Sequence, residues 1–105
     1  MNGKELTLTS RVESDKLIIE TDGYINNRGG EIIADECYRH MNNGVKDIVL
    51  DLKNSRVVNS IGISILIEII EKLNETGGKI YFVNLDPSVE KTFSIMGLFQ
   101  YAVKA

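Results

Sequence analysis

A chain of 105 residues that is 43% hydrophobic and 26% charged is the size and composition of one globular domain, without enough chain for a second core. A net charge of −3 with scattered lysines leaves no basic footprint for nucleic acid, and the single cysteine, Cys37, excludes an internal disulfide and, with only His40 nearby, a cysteine-based metal site. The polar start Met1-Asn2-Gly3-Lys4-Glu5, and a longest apolar stretch (residues 61–70) that Ser64 and Glu68 interrupt, fit a cytoplasmic chain with no membrane insertion.

Leu6-Thr7-Leu8-Thr9 alternates apolar and polar residues and predicts a half-buried strand, with a turn at Glu13-Ser14-Asp15 and a hairpin partner at Lys16-Leu17-Ile18-Ile19-Glu20-Thr21. Residues 23–30 hold three glycines and two asparagines without an apolar period, which predicts a loop. Residues 31–43 place Ile33, Cys37 and Met41 at i, i+4 and i+8 and stop before Gly44, so they predict an amphipathic helix with Cys37 buried on it. Asp47-Ile48-Val49-Leu50-Asp51 is a short β-branched strand. No repeat or low-complexity segment stands out.

The next stretch organises the chain. After a polar turn, the apolar pattern from Ser60 onward runs too long for a strand and is broken by acids at helical spacing, so a helix opens near Ser60 and stops at Thr76-Gly77-Gly78. At about 100° per residue, Ser60, Ser64, Glu68, Glu71 and Glu75 share roughly 80° of arc, Ile61, Ile65, Leu66, Ile69, Ile70 and Leu73 lie outside it, and Ile63 and Ile67 flank it. On that spacing Ser60 heads a water-facing stripe bordered by partly exposed Ile63 and Ile67, as a docking surface requires. The other reading is that Ser60 or Asn59 only caps the helix and that Ile63 and Ile67 are core. Lys79-Ile80-Tyr81-Phe82-Val83-Asn84 then predicts a buried strand, and Asp86 with Pro87 opens a short helix over residues 88–96 that Gly97 closes. Tyr101-Ala102-Val103 is a candidate edge strand. The order β-β-α-β-α-β-α-β predicts an α/β domain whose sheet is at least partly parallel and covered on one face by helices.

The segment from Asp51 to Ile67, with Asn59-Ser60-Ile61-Gly62 opening the helix, resembles the signature of STAS-domain anti-sigma-factor antagonists. Asn84-Leu85-Asp86-Pro87-Ser88 through Met96-Gly97-Leu98-Phe99 looks like that family's last strand-to-helix segment, and Gly23 in Thr21-Asp22-Gly23-Tyr24-Ile25-Asn26 matches the glycine closing its second strand. The resemblance implies a single STAS-like domain over residues 1–105, built on a small mixed sheet with helices packed on it, that is a binding module and not an enzyme. It implies Ser60 as phosphoacceptor with Asn59, Ile61 and Gly62 beside it, and a partner surface of Tyr24, Ile25, Asn26, Ile63, Ser64 and Ile67. The implied partner is an anti-sigma factor that is also a serine kinase, with a serine phosphatase resetting the cycle. Neutral residues, Asn59, Tyr24 and Asn26, stand where the family pattern has acids, which keeps open a non-phosphorylated STAS module of another signalling or transport complex.

Other chemistries find less support. A receiver-like role for Asp51 lacks the adjacent acidic pair that would hold Mg²⁺, and the alternative is a strand-end carboxylate bonding turn amides. There is no Gly-x-Ser-x-Gly elbow, His40 reads as a solvated helix residue, and neither Gly29-Gly30 nor Gly77-Gly78 precedes the Lys-Ser/Thr of a phosphate loop. No catalytic residue, metal ligand or cofactor is therefore assigned.

Overall fold

The computed structural model describes residues 4–105, so part of the polar start lies outside the described residues. Five strands form one sheet in the order β1 (Thr7–Glu13), β2 (Lys16–Asp22), β3 (Asp47–Asn54), β4 (Ile80–Val83) and β5 (Val103–Lys104). The β1–β2 hairpin is antiparallel and every later pair is parallel. Helices α1 (Asn27–Met41), α2 (Ser60–Glu75) and α3 (Pro87–Ile95) make the crossovers, with a short 3-10 turn at Leu98–Gln100 before β5.

Strand alternation separates the two faces of the sheet. In register, Leu17, Ile48 and Ile80 form one fully buried row, and Ile19, Leu50 and Phe82 form the next. The interposed row, Ile18, Val49, Tyr81 and Val103, is only half-buried, as the uncovered face of a two-layer domain requires. The core side is closed by Ile33, Cys37, Leu66, Ile69, Leu73 and Phe93 from the helices.

Several boundaries differ from those expected. β1 runs on to Glu13 because the turn is only Ser14 and Asp15, with Ser14 at φ 59°. α1 begins at Asn27, four residues earlier than its apolar period implies, because the Asn26 side chain accepts from the Gly29 N–H at 2.8 Å and caps it. Gly29 and Gly30, which read as loop, thus lie in its first turn. The 3-10 turn carries no sequence signal strong enough to have been foreseen. His40 is not solvated: it lies 3.1 Å from Glu36 with its side chain 16% exposed.

Between Glu20 and Asp22 the β2–β3 register slips by one residue, so β3 bulges just before the turn that leads to α2. The bulge lets Ser55 turn inward, where its hydroxyl and that of buried Thr21 lie 2.7 Å apart and satisfy each other. Chain exit from the sheet is thereby set by a buried polar pair.

Candidate functional site

Two local segments build the site, and they are copies of each other. Asn26-Asn27-Arg28-Gly29 opens α1, and Asn59-Ser60-Ile61-Gly62 opens α2. In each, the asparagine is the N-cap and its side chain accepts from the glycine N–H at 2.8 Å. Just upstream, Ile25 and Val58 form a parallel bridge, held by Ile25 N–H to Val57 O at 3.0 Å and Asn59 N–H to Ile25 O at 3.1 Å. The two helices therefore start side by side from parallel strands and point the same way. This Asn-x-x-Gly repeat was in the sequence, but at four residues it is too short for a search for repeats to catch.

The glycines are there for backbone approach. A Cβ on Gly62 would stand 2.2 Å from Ile25 O, one on Gly29 would stand 2.3 Å from Tyr24 O, and one on Gly30 would meet Ile65 Cδ1 at 2.8 Å. Removing those side chains brings α1 and α2 together and seats the start of α2 on the Ile25 carbonyl.

Because Asn59 supplies the cap, Ser60 is left as the first residue of α2 with its side chain exposed. One turn later Ser64 is also exposed, its hydroxyl donating to Ser60 O at 3.1 Å. Neither α1 nor α2 carries an acid in its first turn, so both positive helix ends are uncompensated.

Two of the expected surface residues are not on the surface. Ile63 is 3% exposed and Ile25 is fully buried. The buried arc of α2 comprises Gly62, Ile63, Leu66, Ile69, Ile70 and Leu73, so Ile63 falls inside it, and Ile25 lies beneath the first turn as its bridge partner demands. The aliphatic beside Ser60 is instead Ile61, 53% exposed, with half-buried Ile65 behind it. Ile67 is half-buried on the other flank, lining a hollow with Ile95, Met96 and Tyr101. Tyr24 is half-buried and lines a separate cavity of about 340 Å³ with Asn54, Arg56 and Val57, while the Asn26 side chain is committed to its cap.

Ile61, Ser64, Ile65 and Glu68 of α2 face Asn27, Glu31, Ala34 and Asp35 of α1 across a groove of about 410 Å³. Tyr38, further along α1, has its hydroxyl buried with no hydrogen-bond partner among the described residues, and burial together with the Glu68 charge pushes its pKa up to about 12. Asp51 is held by the Lys53 N–H at 2.9 Å and the Asn84 side-chain amide at 3.1 Å, the bonding of a strand-end carboxylate. Among the described residues no helix is long and apolar enough to cross a membrane.

The family model for the STAS domain matches residues 6–103. The anti-sigma factor antagonist BtrV of Bordetella bronchiseptica, so named provisionally, is 26% identical over 81 residues, 77% of this chain and 70% of the relative. Among solved structures, the anti-sigma factor antagonist SpoIIAA in its unphosphorylated form superposes with a TM-score of 0.80 at 18% identity, covering 94% of this chain and 88% of that one. The Bacillus cell fate determinant SpoIIAA in the phosphorylated form gives 0.74 at 19%, covering 96% and 91%. At such identities the superpositions establish the shared fold.

Proposed function

Because the chain belongs to the STAS domain family, we propose that it is an anti-sigma-factor antagonist-type module, which docks a serine-kinase anti-sigma factor at the Ser60 end of α2 and is released when Ser60 is phosphorylated. In this reading it works in the cytoplasm as a binding partner and kinase substrate, catalyses nothing itself, and is reset by a serine phosphatase. The observation that carries the reading is the division of labour at the helix start: Asn59 makes the cap, so the Ser60 hydroxyl is free and exposed.

A phosphate there adds about −1.5 to −2 charges. Next to the first turn of α2, and beside the parallel start of α1, that charge meets free N–H groups and is favoured by roughly 0.3–1 kcal/mol. The fold therefore tolerates the modification. The partner does not, because a dianion beside Ile61 must be desolvated where the contact is aliphatic. A STAS module that binds without being phosphorylated is the second reading, favoured by the neutral residues Asn59, Tyr24 and Asn26 around the serine.

The test is to incubate the protein with a candidate anti-sigma kinase and ATP and to map the product by mass spectrometry. Modification of Ser60, its absence in Ser60→Ala, and weaker kinase binding by Ser60→Asp with a melting temperature within a few degrees of the parent are expected. Unmodified Ser60 in a stable complex favours the second reading, and an unfolded Ser60→Asp makes the hydroxyl structural.

A further inference from the structure

We propose that the groove between α1 and α2 receives an amphipathic helix of the partner, one whose aliphatic stripe is bordered on both sides by lysine or arginine. The inference rests on the reading of the Ser60 end as a protein-docking surface and adds what the partner must present there.

The floor and rim of the groove are apolar at one end, with Ile61 more than half exposed and Ile65 and Ala34 behind it. Ile61 and Ile65 together give the groove an apolar end that a partner's aliphatic stripe can cover, the half of the contact that this chain does not supply. The borders are acidic on both sides: Glu31 and Asp35 from α1, one turn apart, and Glu68 from α2. All three are exposed, and none has an ion-pair partner among the described residues. Among the described residues no cation lines the groove. The missing half must therefore carry cations on either side of an apolar line, and a helix lying along two parallel helices offers that arrangement at the spacing of their own turns.

A second copy of this chain docking by the same face would set like charges against each other, so self-association through the groove is disfavoured. The acids lie further along the helices than Ser60, Glu31 by one turn of α1 and Glu68 by two turns of α2. Cations paired with them are thus out of line with Ser60, and a phosphate there faces the apolar start of the incoming stripe.

The probe is a synthetic helical peptide of about 14 residues, with leucines on one stripe and lysines on both borders, titrated into isotope-labelled full chain. A matched peptide with glutamates for lysines is the control. Expected are amide shift changes centred on Ala34, Ile61, Ser64 and Ile65 with the lysine peptide only, weakening with added salt, and at least about a tenfold loss of affinity in the Glu31→Lys, Asp35→Lys, Glu68→Lys variant. These positions are exposed, so the variant retains the fold, which its unchanged remaining spectrum checks. No binding at millimolar peptide overturns the proposal, as do equal binding of both peptides, shifts centred on Ile95 and Tyr101, an affinity indifferent to the charge reversal, or a dimer that forms through the groove. Ser60 modification by a kinase is read separately, so either result can fail while the other stands.

Discussion

At Asn59 and Gly62 two atoms decide where a helix begins. Asn59 Oδ1 takes the Gly62 N–H, and the bare Cα of Gly62 lets the first turn rest on Ile25 O. Asn59→Ala should cost about 1 kcal/mol of stability and Asn59→Asp close to nothing, since a carboxylate caps as well as an amide. Gly62→Ala should cost about 1–3 kcal/mol, because the added methyl must displace backbone and not a flexible side-chain end. Urea unfolding of the three variants measures this, and a Gly62→Ala midpoint equal to the parent's would mean that the α2 start can move freely. The cap was legible in the sequence as an Asn-Ser choice. That Asn59 takes it and Ser60 does not depends on φ and ψ at the turn, which the Ile25–Val58 bridge sets from a distant part of the chain.

At the scale of elements, the outer hairpin is tied to α1 by one carboxylate. Glu36 on α1 accepts from the Ser10 hydroxyl of β1, and from Arg39 at 2.8 Å and His40 at 3.1 Å on its own helix. The Ser10 hydrogen bond, foremost, holds the Glu36 carboxyl below its ordinary range, against the opposing effect of burial, with Arg39 and His40 adding to the lowering. A depressed folded-state value means the stabilisation is present above the unfolded carboxylate pKa, about 4.3, and is lost as pH falls through the folded value. Glu36→Gln should therefore be less stable than the parent at neutral pH, with the gap closing in acid. Denaturant midpoints at about pH 7 and pH 3 check it, and a gap that persists in acid would assign the effect to packing. The same scale explains the early start of α1. Residues 27–30 lack an apolar period because Asn27 and Arg28 are exposed, while Gly29 and Gly30 are buried by backbone approach to Tyr24 O and Ile65, and periodicity registers side chains, not close backbone approach.

For the whole molecule, Cys37 is a built-in reporter. It is fully buried between α1 and the sheet, and burial, helped by the charge of Glu36, pushes its thiol pKa up to about 12. With the thiolate suppressed and no access, a thiol reagent at neutral pH should label the native protein only through opening of the core. Labelling should accelerate with urea in step with global unfolding. Fast, urea-independent labelling would instead mean that α1 peels away on its own.

Element order, a sheet at least partly parallel and a helix opening near Ser60 were legible in the chain's own pattern, because strand alternation, caps and Pro-in, Gly-out helix ends are local and each leaves its mark within a few residues. Which isoleucines of α2 meet water was not settled there. Periodicity says that a helix has an apolar side, but the width and centre of its buried arc depend on what packs against each flank. Here α1 approaches through Gly30 and leaves Ile61 at an open rim, while Gly62 seats the first turn on Ile25 O and Ile63 is buried. Only the folded arrangement of two parallel helices turns three separated acids, Glu31, Asp35 and Glu68, into one surface.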